Sequence, residues 1–436
     1  MTVTLQRTQN DGAGAQSSPL GLSLSDRMRW VLFLFIAASG ILALVDRQII
    51  SVLKPTIAAE MNWTDDDYGT LGAWFQGATA VALLVAGRLV DKFGVKWANP
   101  ISVFSWSIVA VIHGWAFSLS QFVAARVGLG VTEAAVTPTQ IKTIATIFPP
   151  HMRSTGVGLS NAIASMGAIT APFIIPFIAI PFGWRGAYVI AGILGVVWAA
   201  AWIFATRNVE FHDTGTVNAK TEQTGSSIFR ERSTWAIAGA KALSDSTWWL
   251  MLFWMPDFLN RQFGLVGADI APPLAIAYTG AAIGSIFSGT IASHFLQRGV
   301  SVNKVRKVAM FISATLVLPL PLALQADSPT MAALILAGVL AAHQGFSTNL
   351  FALITDVTDK PRIGRMTSLG VFSGNIGGMV TLKVAGLVLT AGLGYMPLFM
   401  FAAVSYLLAL IWIHLWLPTI RQVEQDTANV MPASLH

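Results

Sequence analysis

Residues 30–53 read "WVLFLFIAASGILALVDRQIISVL", a stretch that is apolar and long enough to cross a lipid bilayer. A membrane-spanning helix needs about 20 mostly apolar residues. This stretch nevertheless contains two adjacent charges, Asp46 and Arg47. A charge at the centre of a bilayer costs roughly 3 kcal/mol or more, and such groups usually face a cavity and pair with one another. The stretch therefore predicts a membrane helix that carries part of a polar site.

The composition of the whole chain also indicates a membrane protein. Of its 436 residues, 54% are apolar and 11% are charged, whereas about a quarter of the residues in soluble domains are charged. The chain has no cysteine, which excludes disulfides, thiolate metal sites and cysteine nucleophiles. Its net charge is +6, but the basic residues are scattered over short loops. We therefore expect the lipid bilayer as a partner, and no nucleic acid.

Apolar windows of similar length recur along the chain and predict an all-α integral membrane protein with twelve transmembrane helices. The approximate bounds of these windows are 30–53, 68–90, 97–117, 120–147, 156–180, 184–205, 236–260, 272–295, 306–325, 331–355, 366–390 and 395–417. The longest polar interval falls after the sixth window. The predicted domains are a disordered cytoplasmic tail 1–29, a six-helix bundle 30–205, a cytoplasmic linker 206–234, a second six-helix bundle 235–418 and a cytoplasmic tail 419–436.

The basic residues of the loops predict the orientation in the membrane. Eighteen of them fall in segments on the side of the N-terminus, against three on the other side, Lys54, Arg185 and Arg261. Cytoplasmic loops carry an excess of Lys and Arg, so both termini are predicted to be cytoplasmic. The first apolar window has no small-residue cleavage site behind it, and we expect it to be retained as a span.

Two local patterns predict how the helices begin and pack. In "WTDDDYG", Thr64 can cap the second span, with Asp67 three residues later completing a capping box. The patches "GAAIG" at 280–284 and "GNIGG" at 374–378 are small enough to let helices approach closely.

Four charged residues are predicted to lie deep in the membrane, on the first and fourth spans. At 1.5 Å per residue, Asp46, Arg47 and Arg126 reach one level and Glu133 lies near mid-depth. Two interpretations remain open. The residues could form a static ion-pair lock between the two spans. Alternatively, they could form a site in which an arginine binds either a carboxylate or an anionic ligand. In that case, binding of the ligand would decide whether the carboxylate keeps a proton.

The loop "GRLVDKFGVK" resembles the signature of the major facilitator superfamily between spans 2 and 3 and supplies Gly87, Asp91, Gly94 and Lys96 as a gating motif. Over residues 30–418 the chain is similar to the anion:cation symporter branch, and within it to bacterial hexuronate transporters. The resemblance is carried by "LVDRQIISVLKPTI" in span 1 and "ARVGLGVTEAAVTPTQIKTIATIFP" in span 4.

This resemblance implies a secondary transporter, not an enzyme, that imports a sugar-acid anion with protons by alternating access. Asp46 and Glu133 correspond to the proton-coupling acids, and Arg47 and Arg126 to the arginines for the substrate carboxylate. No cofactor or metal is implied, since the proton gradient drives uptake. The expected substrate is a hexuronate such as galacturonate or glucuronate. The expected setting is the bacterial inner membrane, with the protein as a monomer.

Some positions depart from the family pattern. Ala43, Leu44 and Val45 stand where Asn-Tyr-Leu is frequent, Thr79 stands where an aromatic residue is common, and Phe346 stands where a Trp is common. An aldonate or aromatic carboxylate thus remains an alternative substrate.

Polar residues within the predicted spans could bind the hydroxyl groups of a sugar acid or simply join helices. The candidates for substrate binding are Asn161, His343, Gln344, Asn349, Ser373 and Asn375. Trp248 and Trp249 could stack on a sugar ring or pack. Lys241 and Asp245, four residues apart, are expected to form an ordinary helical ion pair.

Other classes of function fit the sequence less well. An intramembrane enzyme would need a metal-ligand spacing, a nucleophile elbow or a phosphate loop, and we find none in the sequence. A transport-like sensor is the alternative from a different class of function. It would need a larger soluble domain than the linker or the tail provides. An ion channel would favour rings of charge.

Overall fold

The computed structural model describes residues 25–148, 152–209, 211, 228–359 and 362–421, without the side chains of 153–155, 157–158, 161 and 162. Within these residues all regular secondary structure is helical. The helices are α1 (Asp26–Val52), α2 (Lys54–Met61), α3 (Asp65–His113), α4 (Leu119–Glu133), α5 (Val136–Ile147), α6 (Arg153–Thr206), α7 (Arg232–Phe263), α8 (Ala271–Gln297), α9 (Val302–Val317), α10 (Pro329–Val357), α11 (Ile363–Thr390) and α12 (Met396–Trp416). Short 3₁₀ segments cover Ile228–Arg230, Gly267–Ile270 and Leu320–Gln325.

The outside of the helical assembly is apolar. In the described part of the chain, eight helical segments are long and apolar enough to cross a membrane. Large apolar side chains point outward on several of them, with Phe177 and Ile180 each 78% exposed and Leu415 68% exposed. Apolar area of this kind is stable when it faces lipid tails and unfavourable when it faces water.

Two helices are too long for a single crossing. α3 has 49 residues and α6 has 54, which corresponds to roughly 75–80 Å at 1.5 Å per residue, against about 30 Å of hydrocarbon. Each is broken at one glycine, Gly94 (φ 66°, ψ 164°) and Gly183 (φ 67°, ψ 176°). Glycine adopts positive φ without the steric cost of a Cβ, so each helix folds back as two segments.

Two predicted spans are less regular than expected. The window 120–147 was expected to be continuous, but α4 ends at Glu133 and α5 begins at Val136. Pro138 explains part of the break, because it has no N–H for the carbonyl four residues earlier. The window 306–325 ends as a 3₁₀ segment, which contains Pro321 and follows Pro319.

The two local patterns in the sequence are confirmed. Thr64 Oγ1 accepts a hydrogen bond from the Asp67 backbone N–H at 3.1 Å, and Asp67 Oδ2 accepts one from the Thr64 N–H at 2.9 Å. In the first small-residue patch, Gly280 and Gly284 lie against the backbone of α10. In the second, Gly377 lies against the backbone of α7.

We call the described residues up to 211 the N-half and those from 228 onward the C-half. The halves meet where α3 packs on α11, α1 on α7 and α6 on α8. Buried aromatic residues fill both halves, including Trp106 and Trp202 in the first and Trp254 in the second. The predicted charged residues of α1 and α4 therefore lie within the N-half, close to its contact with the C-half.

Candidate functional site

An ion pair joins α1 to α4. Arg47 Nε donates to Glu133 Oε2 at 2.6 Å. The Glu133 side chain has no exposed surface, whereas that of Arg47 is 19% exposed. Glu133 Oε1 is buried and accepts no hydrogen bond from any described residue. Arg47 thus keeps an accessible surface while it neutralises a buried carboxylate at the C-terminal end of α4.

Asp46 lies on the other side of the same cluster. Its residue exposure is 3%, and Oδ1 has no hydrogen-bond partner in the described part of the chain. The charged groups that act on it electrostatically are Glu133, Arg126 and Arg47. Its other neighbours include the apolar side chain of Ile175 on α6. Asp46 is therefore a carboxyl group in largely apolar surroundings, next to two arginines and one acid.

Arg126 is completely buried inside the N-half. Its Nη2 donates to the Tyr188 hydroxyl at 2.7 Å, and the Tyr188 ring stacks on His113 with centroids 4.8 Å apart. Arg126 Nε and Nη1 have no partner among the described residues. The structure therefore brings all four predicted charged residues together, and among them Arg47 has the greatest access.

The predicted hydroxyl-binding residues of the C-half differ in how their polar atoms are used. Asn349 is fully buried, and its Nδ2 donates to Ser288 Oγ at 2.8 Å. His343 Nδ1 lies 2.7 Å from the Tyr406 hydroxyl, and its ring stacks on Trp248. These two side chains join helices of the C-half.

The remaining candidates lie on α10, α11 and α6. Asn375 Nδ2 donates to the Val371 carbonyl one turn earlier at 2.9 Å. Gln344 and Ser373 are partly exposed. The side chain of Asn161 lies outside the described residues. A role in substrate binding stays a prediction for all six candidates.

The predicted gating motif organises one end of the N-half. Gly94 makes the break in α3, and Gly87 has open space beside it. Asp91 pairs with Lys142 of α5 at 2.9 Å. Lys96 donates to the carbonyl of Val209 at 3.1 Å, beyond the C-terminus of α6, where a cation is favoured by the helix dipole.

An ion-pair network that we did not predict joins the halves at the opposite end, which we call the Lys54 end. Lys54 Nζ lies 2.7 Å from Asp65 Oδ1 and 2.6 Å from Asp257 Oδ1. Arg261 contacts the same two carboxylates, at 2.5 Å and 2.7 Å. The Tyr395 hydroxyl donates to Asp257 Oδ2 at 2.5 Å. Two cations and two anions thus bridge α2 and α3 of the N-half to α7 of the C-half.

Aromatic rings and a second ion pair complete this end. Lys54 Nζ lies 5.0 Å from the Tyr68 ring centroid and 4.5 Å from that of Trp254. Lys383 of α11 pairs with Asp66 of α3. Because charge-assisted hydrogen bonds are stronger when they are shielded from water, this network holds the two halves together.

The helix α2 is also attached within the N-half. Glu60 accepts hydrogen bonds from Arg185 and from Trp184 Nε1, the latter at 2.7 Å. The hydrogen bond from Arg185, followed by that from Trp184, lowers the pKa of Glu60 below its ordinary value. Glu60 is therefore ionised at neutral pH and keeps α2 against α6.

The sequence contained a signal for this network that we interpreted otherwise. The sequence alone predicts Lys54 and Arg261 in loops on the same side of the membrane, and the acidic run 65–67 at the capped start of a helix. Opposite charges at the same predicted end of different spans were the available clue. Their pairing depends on which helices are neighbours, and the sequence pattern does not state that.

The described residues contain no group of three or more His, Cys, Asp or Glu side chains that could hold a metal ion. The charges at both sites are instead balanced by Lys and Arg.

Comparison with known proteins identifies the family of the chain. Residues 36–380 match the model of the Major Facilitator Superfamily. The chain is 29% identical to the "Probable L-galactonate transporter" of Escherichia coli (strain K12), over 71% of each chain. It is 27% identical to the "Hexuronate transporter" of the same strain, over 94% of this chain and 99% of the relative. It is 25% identical to the "Galacturonate transporter" of Dickeya chrysanthemi, over 67% and 89%.

Solved structures support the fold alone. A bacterial homolog of the human lysosomal transporter Spinster, in an inward-facing and unoccupied conformation, aligns with a TM-score of 0.68 and 18% identity, over 90% of this chain and 96% of that one. A D-xylose–proton symporter aligns with a TM-score of 0.70 and 13% identity, over 88% and 97%. The chain therefore belongs to the Major Facilitator Superfamily, and it is a multi-pass transporter of the inner membrane rather than an enzyme.

Proposed function

We propose that the protein is a proton-coupled symporter that imports a sugar-acid anion, with a hexuronate as the first candidate. The observation that carries this proposal is the Arg47–Glu133 pair, in which a fully buried carboxylate is neutralised by a partly exposed arginine. The names of the relatives support the substrate class, since they include hexuronate, galacturonate and galactonate transporters.

The coupling follows from the charge balance of the cluster. Asp46, Glu133, Arg47 and Arg126 carry two negative and two positive charges when all are ionised. A substrate carboxylate that binds Arg47 displaces Glu133 and leaves its negative charge buried without a partner. A proton on Glu133 removes this cost, because a buried acid is far more stable in its neutral form. The anion and the proton therefore enter the site together.

We propose twelve transmembrane helices in two six-helix bundles, with both termini in the cytoplasm. Seven of these spans are the single helices α1, α7, α8, α9, α10, α11 and α12. The other five are the two segments of α3, the two segments of α6, and α4 together with α5. The positive-inside distribution of Lys and Arg supports the orientation. On this orientation the Lys54 end faces outward, and the ion-pair network closes the outer entrance to the site.

Alternating access then has a defined first step. The network must open for substrate and protons to reach Arg47 and Glu133 from outside, and the halves then rock as units around the central site, as in other transporters built from paired repeats. We propose a monomer as the functional unit, with the proton gradient as the driving force and no cofactor.

An aldonate is the second candidate substrate. The "Probable L-galactonate transporter" is among the relatives, at 29% identity, and a "D-galactonate transporter" is 22% identical. In addition, Thr79 and Phe346 replace larger or more polar side chains that the hexuronate resemblance led us to expect. Thr79 Oγ1 donates to the Phe75 carbonyl at 2.8 Å, so its hydroxyl hydrogen is used within α3.

Uptake into proteoliposomes tests these proposals together. Purified protein is reconstituted, and labelled galacturonate, glucuronate and galactonate are supplied with and without an inward proton gradient. We expect accumulation of at least one of these acids above equilibrium, and its loss with a protonophore. Uptake that is insensitive to the gradient would reject proton coupling, and no uptake of any of them would reject the substrate class.

A further inference from the structure

A second buried ion pair lies in the C-half, away from the Arg47–Glu133 pair. Lys241 Nζ and Asp245 Oδ2 of α7 are 2.7 Å apart, with side chains 4% and 15% exposed. Lys241 Nζ also lies 4.3 Å from the centroid of the Phe351 ring on α10. The sequence led us to expect an ordinary helical pair, but exposed pairs of that kind contribute little, whereas this one is largely shielded from solvent.

The second carboxylate oxygen of Asp245 is little used. Its hydrogen bond from the Ser244 hydroxyl is long, at 3.4 Å, and comes from the adjacent residue. Asp245 also retains more exposed surface than Lys241. The pair therefore presents one carboxylate oxygen that can accept a further hydrogen bond, while the lysine balances the charge from behind.

Helix α11 is shaped around this pair. A side chain at Gly374 would collide with the Asp245 carboxylate, and one at Gly370 would contact the stem of Lys241. Gly374 lies between Ser373 and Asn375, two of the predicted hydroxyl-binding residues. Asp245 is therefore at the same level of the C-half as these polar residues.

Asp245 also lies on the side of α7 that leads to the N-half. Trp249 and Phe253 follow it at intervals of four residues, and neighbours at this spacing share one side of a helix. The Phe253 ring lies 6.4 Å from that of Phe75 in the N-half. The Arg47 guanidinium in turn lies 5.5 Å from the Phe75 ring. One row of side chains thus connects the two ion pairs across the contact between the halves.

We propose that Asp245, held by Lys241, binds hydroxyl groups of the substrate and is a specificity-determining residue of the C-half. This inference rests on the proposed function. A carboxylate accepts hydrogen bonds from hydroxyl groups and repels another carboxylate. The substrate is thereby oriented with its acid group toward Arg47 and its hydroxyl-bearing end toward Asp245. An acid without hydroxyl groups leaves Asp245 unsatisfied and binds more weakly.

The test compares binding of hydroxylated and unhydroxylated acids to the purified protein by calorimetry. The probes are galacturonate, glucuronate, galactonate and cyclohexanecarboxylate. The main variant is Lys241→Met with Asp245→Leu, which removes both charges, because such replacements of a buried ion pair are frequently compatible with folding. The matched control is Arg362→Met with Glu231→Leu, which removes a partly buried ion pair of the C-half between the N-terminal ends of α11 and α7.

In the main variant we expect the Kd of the hydroxylated acid that wild type binds best to rise roughly 10- to 100-fold, the range expected for hydrogen bonds to a charged group. The Kd of cyclohexanecarboxylate should change by less than about threefold. The control variant should leave the ratio of the two Kd values as in wild type. Thermal unfolding and size-exclusion chromatography confirm that each variant is folded.

An unchanged ratio in the folded Lys241–Asp245 variant would overturn this inference and leave the proposed function intact. If the double variant does not fold, the Asp245→Asn variant is used instead, because Asn keeps the shape of the side chain and removes its charge. The ratio of the Kd values of the hydroxylated acid and cyclohexanecarboxylate then decides in the same way. If wild type binds none of the three hydroxylated acids, the proposed function fails, and the inference fails with it.

Discussion

Asp46, Arg126 and Glu133 have almost no exposed surface, although each side chain can carry a charge. A lone buried charge is costly, and one partner removed from a buried pair destabilises a protein strongly. Here Glu133 has its partner in Arg47, Arg126 has the Tyr188 hydroxyl, and Asp46 has two arginines nearby. The unsatisfied atoms that remain, on Asp46, Glu133 and Arg126, are concentrated in this cluster. A proton or an anion added to this cluster would change its balance of charge.

Replacing Glu133 by Gln should separate coupling from movement. The amide cannot ionise, so we expect accumulation driven by the proton gradient to be lost, while exchange of labelled for unlabelled substrate continues. Both are measured in the same proteoliposomes. Accumulation equal to wild type would exclude Glu133 as a proton site.

Replacing each arginine by Lys should distinguish Arg47 from Arg126. Lys keeps the positive charge but loses the planar fork that binds a carboxylate through two hydrogen bonds. Because Arg47 is accessible and Arg126 is not, we expect the apparent KM of Arg47→Lys to rise by about tenfold or more, the equivalent of 1.4 kcal/mol. A larger rise in KM for Arg126→Lys than for Arg47→Lys would assign the carboxylate to Arg126 instead.

Helices of this protein are shaped by small residues and prolines. Gly94 and Gly183 reverse two long helices, and Pro138 lies in the first turn of α5, just after the break that follows Glu133. Where Gly280 meets α10, no side chain fits between the helices. In a membrane, close packing of this kind replaces the hydrophobic effect as the force that holds helices together.

Two helical glycines, Gly280 on α8 and Gly338 on α10, provide a matched comparison. A Cβ at Gly280 would collide with the Ala337 backbone, whereas one at Gly338 meets open space. We expect Gly280→Ala to destabilise the protein by about 1–3 kcal/mol through overpacking. Gly338→Ala should be neutral or slightly stabilising, since Ala favours helix. Thermal unfolding in detergent measures both, and equal melting temperatures would show that the contact at Gly280 is not tight in solution.

At the scale of the whole molecule, the two halves are held at the Lys54 end by charges from four helices. Lys54 is 3% exposed and lies between two carboxylates and two aromatic rings. The contacts of Lys54 with Asp257 and Trp254 cross between the halves and are lost when the halves separate at this end, whereas those with Asp65 and Tyr68 lie within the N-half. The network therefore stabilises this arrangement of the halves relative to one in which they separate at the Lys54 end.

Replacing Lys54 by Met should shift this equilibrium. The chain has no cysteine, so a single Leu382→Cys, placed at a fully buried position against Gly69 and Gly72, reports opening. We expect a membrane-impermeant maleimide to label it at least about tenfold faster in the Lys54→Met background, since charge-assisted hydrogen bonds contribute roughly 1.5–3 kcal/mol. The control is Lys304→Ala, an exposed lysine outside the network. Equal labelling rates of the Leu382→Cys protein with and without Lys54→Met would show that Lys54 does not control opening.

The sequence by itself determined the helical class, the apolar surface, the capped start of α3, the close helix contacts at glycines and the identity of the four deeply placed charges. Each of these follows from residue type and spacing within one helix. Only the tertiary structure decided that Arg47 pairs with Glu133 while Arg126 turns to Tyr188, and that Lys54 meets Asp257. Those pairings join residues 86, 62 and 203 positions apart, and they depend on which helix faces are neighbours, a property that no single helix encodes.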